Sequence, residues 1–151
     1  MASLDGVVVT PLKTFPDDRG YFREISRLSE GQLKECAQIS ATMSYPGVIK
    51  AFHYHNKQDD LWYCAAGNIL AVLYDRREGS PTYQQTQTVA LGDLAPATLF
   101  IPHGVVHGYK VLGDVRALVI YSTSHVYDPD DELRIAHDDA TINFDWSIKP
   151  R

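Results

Sequence analysis

The sequence predicts an all-β fold in which the strands form a closed barrel or two packed sheets around a pocket. Two observations support this prediction. Short runs rich in β-branched and aromatic residues recur at regular spacing between turn residues, a pattern typical of sandwiches and barrels. The run "NILAVLYD", residues 68–75, is apolar on both faces, as expected of a strand that is covered on both sides. Such structures hold small ligands in their mouths.

Ten runs are the expected strands, in chain order GVVVTPL, GYFREISRL, AQISATMSY, GVIKAFHYH, LWYCAAG, NILAVLYD, YQQTQTVAL, ATLFIPHG, VHGYKVLG and VRALVIYSTS. Turn-forming stretches such as PDDRG, REGSPT and LGDLAP separate them. One or two short helices are expected as well. The better candidate spans residues 28–38, with Ser29 as its N-cap. A second, single helical turn is expected near residues 129–134, after Pro129.

Length and composition predict one domain, residues 1–151, of an ordinary soluble globular protein. The net charge of −5 argues against a sequence-independent nucleic-acid binder, which would be basic. The two cysteines, Cys36 and Cys64, lack CxxC spacing, so neither a disulfide framework nor a cysteine-based zinc site is expected. No signal peptide or transmembrane pattern is seen, so we expect a cytoplasmic protein without membrane contact.

A histidine motif lies near the middle of the chain. Gly47 is followed after five residues by His53, then by His55, Asp60 and Gly67. This spacing is similar to the first signature of the cupin barrels, with an aspartate in place of the usual glutamate. Because side chains at i and i+2 of a strand share a face, His53 and His55 are expected to point into the pocket together.

The second cupin signature is matched only in part. Pro102, Gly104 and His107 follow its P-x-G-x2-H spacing. The asparagine expected later is Val111, and the glycine expected six residues before the proline is missing.

Five longer segments follow one another in order with compatible gaps. They are DDRGYFREI, GVIKAFHYH, AAGNILAVLYDRREGSPTY, IPHGVVHGYKVL and VIYSTSHVYDPDDELRIAHDDATINFDW. Their patterns resemble those of the dTDP-4-dehydrorhamnose 3,5-epimerase (RmlC-type) family of cupins. The resemblance covers nearly the whole chain, and it implies a cupin jelly-roll β-barrel that assembles as a homodimer.

The resemblance implies an isomerase that epimerises a nucleotide-linked 4-keto-6-deoxyhexose at C3 and C5, or at one of them. Such enzymes serve deoxysugar, surface-polysaccharide (lipopolysaccharide O-antigen) or antibiotic-sugar biosynthesis. A C–H bond beside a ketone is acidic because the resulting charge delocalises onto the carbonyl oxygen. One group removes the proton, another returns one on the opposite face, and donors hold the enolate oxygen. No cofactor and no metal is required.

Site residues are carried over position by position. His53 matches the family's catalytic base, and Tyr121 matches the tyrosine that acts as the acid on the opposite face. His107 matches an active-site histidine that is expected to donate toward the keto oxygen.

Further matches concern substrate binding. Arg19 and Glu24 match residues that face the nucleotide, and across a homodimer they are expected to serve the partner's site. Lys50 replaces a phosphate-binding arginine, which keeps the charge but loses the bidentate fork. Tyr127 matches a ring near the nucleotide or the sugar.

Two positions depart from the family's pattern. His55 stands in place of a glutamine, and Asp60 in place of a lysine that is expected to stabilise the developing oxyanion. Both are kept as substrate-binding candidates. The resemblance implies that the aspartate that orients the catalytic histidine lies in a C-terminal extension, for which we expect no counterpart, and Asp59 or Asp60 is the candidate substitute.

Two alternatives remain open at this point. His53, His55, Asp60 and His107 together suit zinc, iron, nickel or manganese, which would make the protein a metal-dependent cupin dioxygenase, isomerase or lyase. A non-catalytic cupin that binds sugars or sugar nucleotides is the other alternative.

Overall fold

The computed structural model describes residues 3–148, and all regular structure in that range is β. The strands are β1 (Val8–Pro11), β2 (Thr14–Asp17), β3 (Gly20–Arg23), β4 (Gln38–Ser44), β5 (Ile49–Tyr54), β6 (Asp60–Ala66), β7 (Asn68–Asp75), β8 (Thr86–Gly92), β9 (Ala97–Ile101), β10 (Val105–Leu112), β11 (Ala117–Thr123) and β12 (Leu133–Arg134). The prediction of an all-β protein is confirmed.

The strands form two antiparallel five-stranded sheets and one hairpin. The first sheet has the order β1-β9-β6-β11-β4, and the second has the order β12-β5-β10-β7-β8. Strands β2 and β3 pair only with each other. The architecture is a jelly roll of two facing sheets, and within the described residues hydrogen bonds do not close these sheets into one barrel.

The core lies between the two sheets. Apolar side chains from β6 and β9 of the first sheet, such as Trp62 and Leu99, meet Leu73, Tyr109 and Val111 from the second. Leu73 and Leu99 are fully buried, and burying a leucine side chain is worth about 2 kcal/mol. Side chains alternate along each strand, so every second residue points into this core. These inward side chains determine the distance between the two sheets.

Strand β7 is buried on both faces, as its unbroken apolar sequence predicts. Ile69 and Leu73 face the core between the sheets. Val72 and Tyr74 pack with Phe52 in a second cluster on the outer side of the same sheet. The C-terminal segment covers that outer side with its apolar residues, which are Ile135, Ile142, Phe144 and Trp146.

The predicted helix over residues 28–38 is wrong. The chain makes a single turn there, in which the backbone N–H groups of Glu30 and Gly31 both donate to the Arg27 carbonyl. The remainder is irregular, and Leu33 is buried in it. Glycine at position 31 disfavours helix continuation, and one buried leucine provides no helical apolar face.

The helical turn expected near residues 129–134 is also wrong. The segment makes a turn closed by a hydrogen bond from the Asp131 N–H to the Asp128 carbonyl. It then enters the short strand β12, which pairs with the end of β5. Strand β2 is a further difference, because the sequence did not indicate it as a strand.

None of the described residues belongs to a helix with the length and apolarity needed to cross a bilayer.

Candidate active site

A cavity of about 440 Å³ opens between the two sheets. Most of the residues singled out from the sequence line it, namely Lys50, His53, His55, Asp60, His107, Tyr121 and Tyr127. Arg19 and Glu24 do not line it. Arg19 pairs with Asp17 at the tip of the β2–β3 hairpin, and Glu24 pairs with Arg27 just after that hairpin. Within one chain, the structure therefore brings the expected catalytic residues together and leaves these two outside.

Strands β5 and β10 place His53 opposite His107 on one wall of the cavity. The pairing shifts register between His107 and Tyr109, so that three steps along β5 match two steps along β10. This is a β-bulge, which re-aims the side chains that flank it. Lys50 and His53 both reach the cavity as a result, although strict alternation would send them to opposite faces.

Gly108 makes this bulge possible. A Cβ atom at position 108 would lie 2.5 Å from the Cβ of Ala51 and 2.8 Å from the carbonyl oxygen of Lys50. Only a residue without a side chain fits between β10 and the extra residue of β5.

Tyr121 stands on the facing wall. It lies on β11 in the first sheet, where it pairs with Trp62 on one side and Ser40 on the other. His53 and Tyr121 therefore approach the cavity from opposite sheets, and a flat sugar ring held between them would present one face to each.

His53 contacts a carboxylate that the sequence did not single out. Its Nδ1 atom lies 2.6 Å from Oε1 of Glu132. Both side chains are partly exposed to the cavity, His53 to 29% and Glu132 to 23%. The two candidates named from the sequence lie elsewhere. Asp59 bonds to His103, and Asp60 bonds to Gln58 and Trp62.

His55 is buried and held by a different group. Its Nδ1–H donates to the backbone carbonyl of Asp131 at 2.8 Å, because a carbonyl oxygen can only accept. Its Nε2 is then the acceptor in the neutral ring, and the Gln58 amide donates to it at 3.3 Å.

Asp60 forms the floor of the cavity and is buried. Its carboxylate accepts hydrogen bonds from the Gln58 amide at 2.8 Å and from the Trp62 indole at 3.1 Å. The Nε2 atoms of His55 and His107 each lie 3.8 Å from one of its oxygens. These three residues are near enough to one another to be considered as metal ligands, but His53 is not part of that group.

His107 is neutral at ordinary pH. Burial lowers its pKa to about 4, although the Asp60 carboxylate favours the charged ring. Its Nδ1–H donates to the Val105 carbonyl at 3.0 Å, so Nε2 carries a lone pair. In this state the ring accepts a hydrogen bond at Nε2, whereas the sequence led us to expect a donor toward the keto oxygen.

Four residues of the site were not predicted from the sequence, namely Gln58, Trp62, Asp131 and Glu132. The run DPDDE suggests an acidic loop but carries no spacing rule that links it to His53, which lies 79 residues away along the chain. Trp62 lies at i+2 from Asp60 on β6, where the alternation of a strand places both on one face, and Gln58 lies at i−2, just before β6. Only that local relation was detectable from the sequence.

The whole chain matches one known protein family. A family model described as dTDP-4-dehydrorhamnose 3,5-epimerase matches residues 1–151. The spore coat polysaccharide biosynthesis protein SpsL of Bacillus subtilis (strain 168) is 49% identical over 150 residues, which cover 98% of this chain and 99% of that protein.

Solved structures agree with the fold. A dTDP sugar isomerase from Desulfovibrio desulfuricans G20 has a TM-score of 0.90 at 30% identity, covering 95% of this chain and 92% of that one. RmlC from Legionella pneumophila, a dTDP-6-deoxy-D-glucose-3,5-epimerase solved with dTDP-4-keto-L-rhamnose, has a TM-score of 0.88 at 28% identity, covering 98% and 82%.

Proposed function

We propose that this chain, which belongs to the dTDP-4-dehydrorhamnose 3,5-epimerase family, epimerises a dTDP-linked 4-keto-6-deoxyhexose at carbons next to the keto group. It is an isomerase of sugar biosynthesis, and its relative in Bacillus subtilis carries the name of a spore coat polysaccharide biosynthesis protein. The metal-dependent alternative is not favoured, and neither is a binding-only role.

The observation that carries the mechanism is the position of His53 and Tyr121 on facing walls of one cavity. Epimerisation needs a base on one face of the sugar and an acid on the other. His53 takes the proton beside the ketone through Nε2, since its Nδ1 faces Glu132. Tyr121 returns a proton from the opposite side, and the configuration of that carbon is inverted.

The floor of the cavity serves the sugar rather than the proton transfer. Nε2 of His107 accepts a hydrogen bond from a substrate hydroxyl, because the neutral ring has no proton there. Asp60 and His55 are held by Gln58, Trp62 and Asp131, and they shape the pocket.

Cations at the cavity suit a diphosphate. Lys50 reaches the cavity while its ammonium donates to Thr42 Oγ1 at 2.6 Å. Lys57 and Arg134 also line it, and no ion pair of either side chain occurs in the described part of the chain. Tyr127 lines the same cavity and offers a ring to the base or the sugar.

The site is completed by a second copy of the chain. The outward face of the edge strand β4 carries the exposed apolar residues Ile39 and Met43, and the β2–β3 hairpin exposes Tyr21 and Phe22. Covering these surfaces in a homodimer removes apolar area from water and brings Arg19 and Glu24 near the partner's cavity. We place the enzyme in the cytoplasm, in keeping with its free thiols Cys36 and Cys64.

Solvent deuterium exchange tests the proposal. The enzyme is incubated in D₂O with dTDP-4-keto-6-deoxyglucose, and NMR spectroscopy locates the deuterium and the inverted carbons. One labelled carbon identifies a mono-epimerase, and two identify a 3,5-epimerase. His53→Ala is expected to lower the exchange rate by about 10³-fold, because general-base catalysis contributes about 10²- to 10⁴-fold.

Tyr121→Phe separates the two proton transfers. His53 still exchanges the proton in this variant, so deuterium enters with retained configuration while inversion is lost. His137→Ala and Tyr45→Phe are matched controls, since both residues are exposed and lie outside the cavity. Absence of exchange in the wild-type enzyme would reject the proposed function.

A further inference from the structure

We propose that Glu132 is the positioning residue that holds His53 in the Nδ1–H tautomer, which leaves the basic lone pair on Nε2. Asp131 fixes the position of Glu132. The inference rests on the proposed function, because it assumes that His53 is the base. It assigns the orienting carboxylate to the loop between β11 and β12, within this chain.

The carboxylate of Glu132 contacts the ring of His53 directly. The Nδ1–H of His53 donates to Oε1 of Glu132 at 2.6 Å, because an ionised carboxylate can only accept. The neutral ring is therefore protonated at Nδ1, and the lone pair lies on Nε2. When Nε2 takes the substrate proton, the nearby carboxylate stabilises the positive charge that forms.

Asp131 is held by hydrogen bonds to the segment that follows β5. Its carboxylate is buried and accepts three backbone N–H groups, those of Asn56 at 2.7 Å, Lys57 at 3.2 Å and Gln58 at 3.3 Å. Its own carbonyl accepts the Nδ1–H of His55 at 2.8 Å. The residue before Glu132 is thus fastened to the segment that follows His53.

The strand pairing fixes the other side of Glu132. Leu133 pairs with Tyr54, and Arg134 pairs with His53, so β12 runs beside the end of β5. Glu132 is held between this ladder and the Asp131 contacts. Burial raises the pKa of the Asp131 carboxyl, but hydrogen bonds from three backbone amides outweigh burial and lower it, which keeps the carboxylate charged.

Other carboxylates near His53 are already engaged. Asp59 accepts hydrogen bonds from the backbone N–H and the ring of His103. Asp60 accepts from Gln58 and Trp62. Within residues 3–148, Glu132 is the carboxylate that pairs with His53.

The test combines ¹⁵N NMR of the histidine rings with steady-state kinetics on three variants. Glu132→Gln keeps the shape and removes the charge, Glu132→Asp keeps the charge, and Asp131→Asn weakens the anchor. Asp130→Asn is the matched control, because Asp130 is an exposed acid of the same loop outside the cavity. The His53 resonances are assigned by their loss in His53→Ala.

We expect the Nδ1–H tautomer of His53 in the wild type and a shift toward Nε2–H in Glu132→Gln. The kcat of that variant should fall by about 100-fold with little change in KM, in line with the size of general-base effects. Asp131→Asn should shift the tautomer in the same direction, and Glu132→Asp should recover part of kcat. An unchanged tautomer or an unchanged kcat in Glu132→Gln overturns the proposal. The tautomer is read without substrate, so it decides the role of Glu132 even if the proposed reaction is not observed.

Discussion

At the residue scale, the three imidazoles of the cavity differ in what their Nδ1 atoms contact. His55 and His107 donate to backbone carbonyls, whereas His53 contacts the carboxylate of Glu132. A carbonyl fixes a tautomer but adds no full charge to stabilise a protonated ring. Of these three rings, only His53 has a carboxylate within hydrogen-bond distance. This difference explains why His53 suits the role of a base.

The neutral state of His107 predicts a pH-dependent stability. The folded-state pKa of about 4 lies below the ordinary value of 6.5. The unfolded state therefore binds more protons between these values, and the free energy of unfolding falls as the pH drops. This contribution is fully present above about pH 6.5, falls progressively below that pH, and is fully lost once the pH has dropped through about 4.

Urea unfolding at pH 7 and at pH 5 measures this effect. The wild type should lose about 1–2 kcal/mol over that interval from this group, and His107→Gln should lose correspondingly less. His137→Gln, at an exposed histidine, serves as the control and should behave like the wild type. An equal pH dependence in His107→Gln and wild type would contradict the assignment.

At the element scale, the bulge between β5 and β10 decides which side chains reach the cavity. Without the extra residue on β5, Lys50 and His53 would point to opposite faces of the sheet. Gly108 is the position that admits the bulge, because Ala51 and Lys50 approach it closely. The element that carries the base is thus shaped by a glycine on its neighbour.

Gly108→Ala is expected to disrupt the site. The added methyl group has no space next to Ala51, so β5 must move and carry His53 and Lys50 with it. We expect kcat/KM to fall by about 100-fold, the size of loss that a misplacement of 1 Å can cause. Ala90→Ser, at an exposed position on β8 of the same sheet, is the control. Epimerase activity within about twofold of wild type in Gly108→Ala would show that the bulge is not needed.

At the scale of the whole molecule, two expected substrate-binding residues lie outside the cavity of their own chain. Arg19 and Glu24 belong to the hairpin region, which packs on the first sheet through the hydrogen bond from Arg23 to the Tyr63 hydroxyl at 3.0 Å. The same region exposes Tyr21 and Phe22 to solvent. A homodimer accounts for both features at once.

In-trans complementation tests this assembly. His53→Ala and Arg19→Ala are each expected to be nearly inactive, and mixing them should restore about a quarter of wild-type activity. Half of the dimers are then mixed, and one of the two sites in each mixed dimer has both native residues. A mixture that stays inactive, with dimers present by analytical ultracentrifugation, would place Arg19 in its own chain's site or outside both.

Much of the fold could be predicted from the sequence because its signals are local. Each of the ten predicted runs overlaps one of the observed strands, and the run 68–75, apolar on both faces, is β7, which is buried on both faces. Strand β2 and the segment 28–38 were not predicted correctly. Strand β2 forms by pairing with β3 across a hairpin, where Arg23 donates to Thr14, and the segment 28–38 follows the burial of Leu33.

The sequence by itself determined the family, the positions of ten strands along the chain and the histidine pair, because residue spacing and alternation express these directly. Only the tertiary structure decided which groups meet. In the folded chain, His53 contacts Glu132, and Asp131 accepts hydrogen bonds from the residues after β5. Nε2 of His107, which faces Asp60, carries no proton. The physical reason is that burial and hydrogen-bond partners arise between segments far apart in the chain. Those partners set where a proton resides, and no local pattern encodes them.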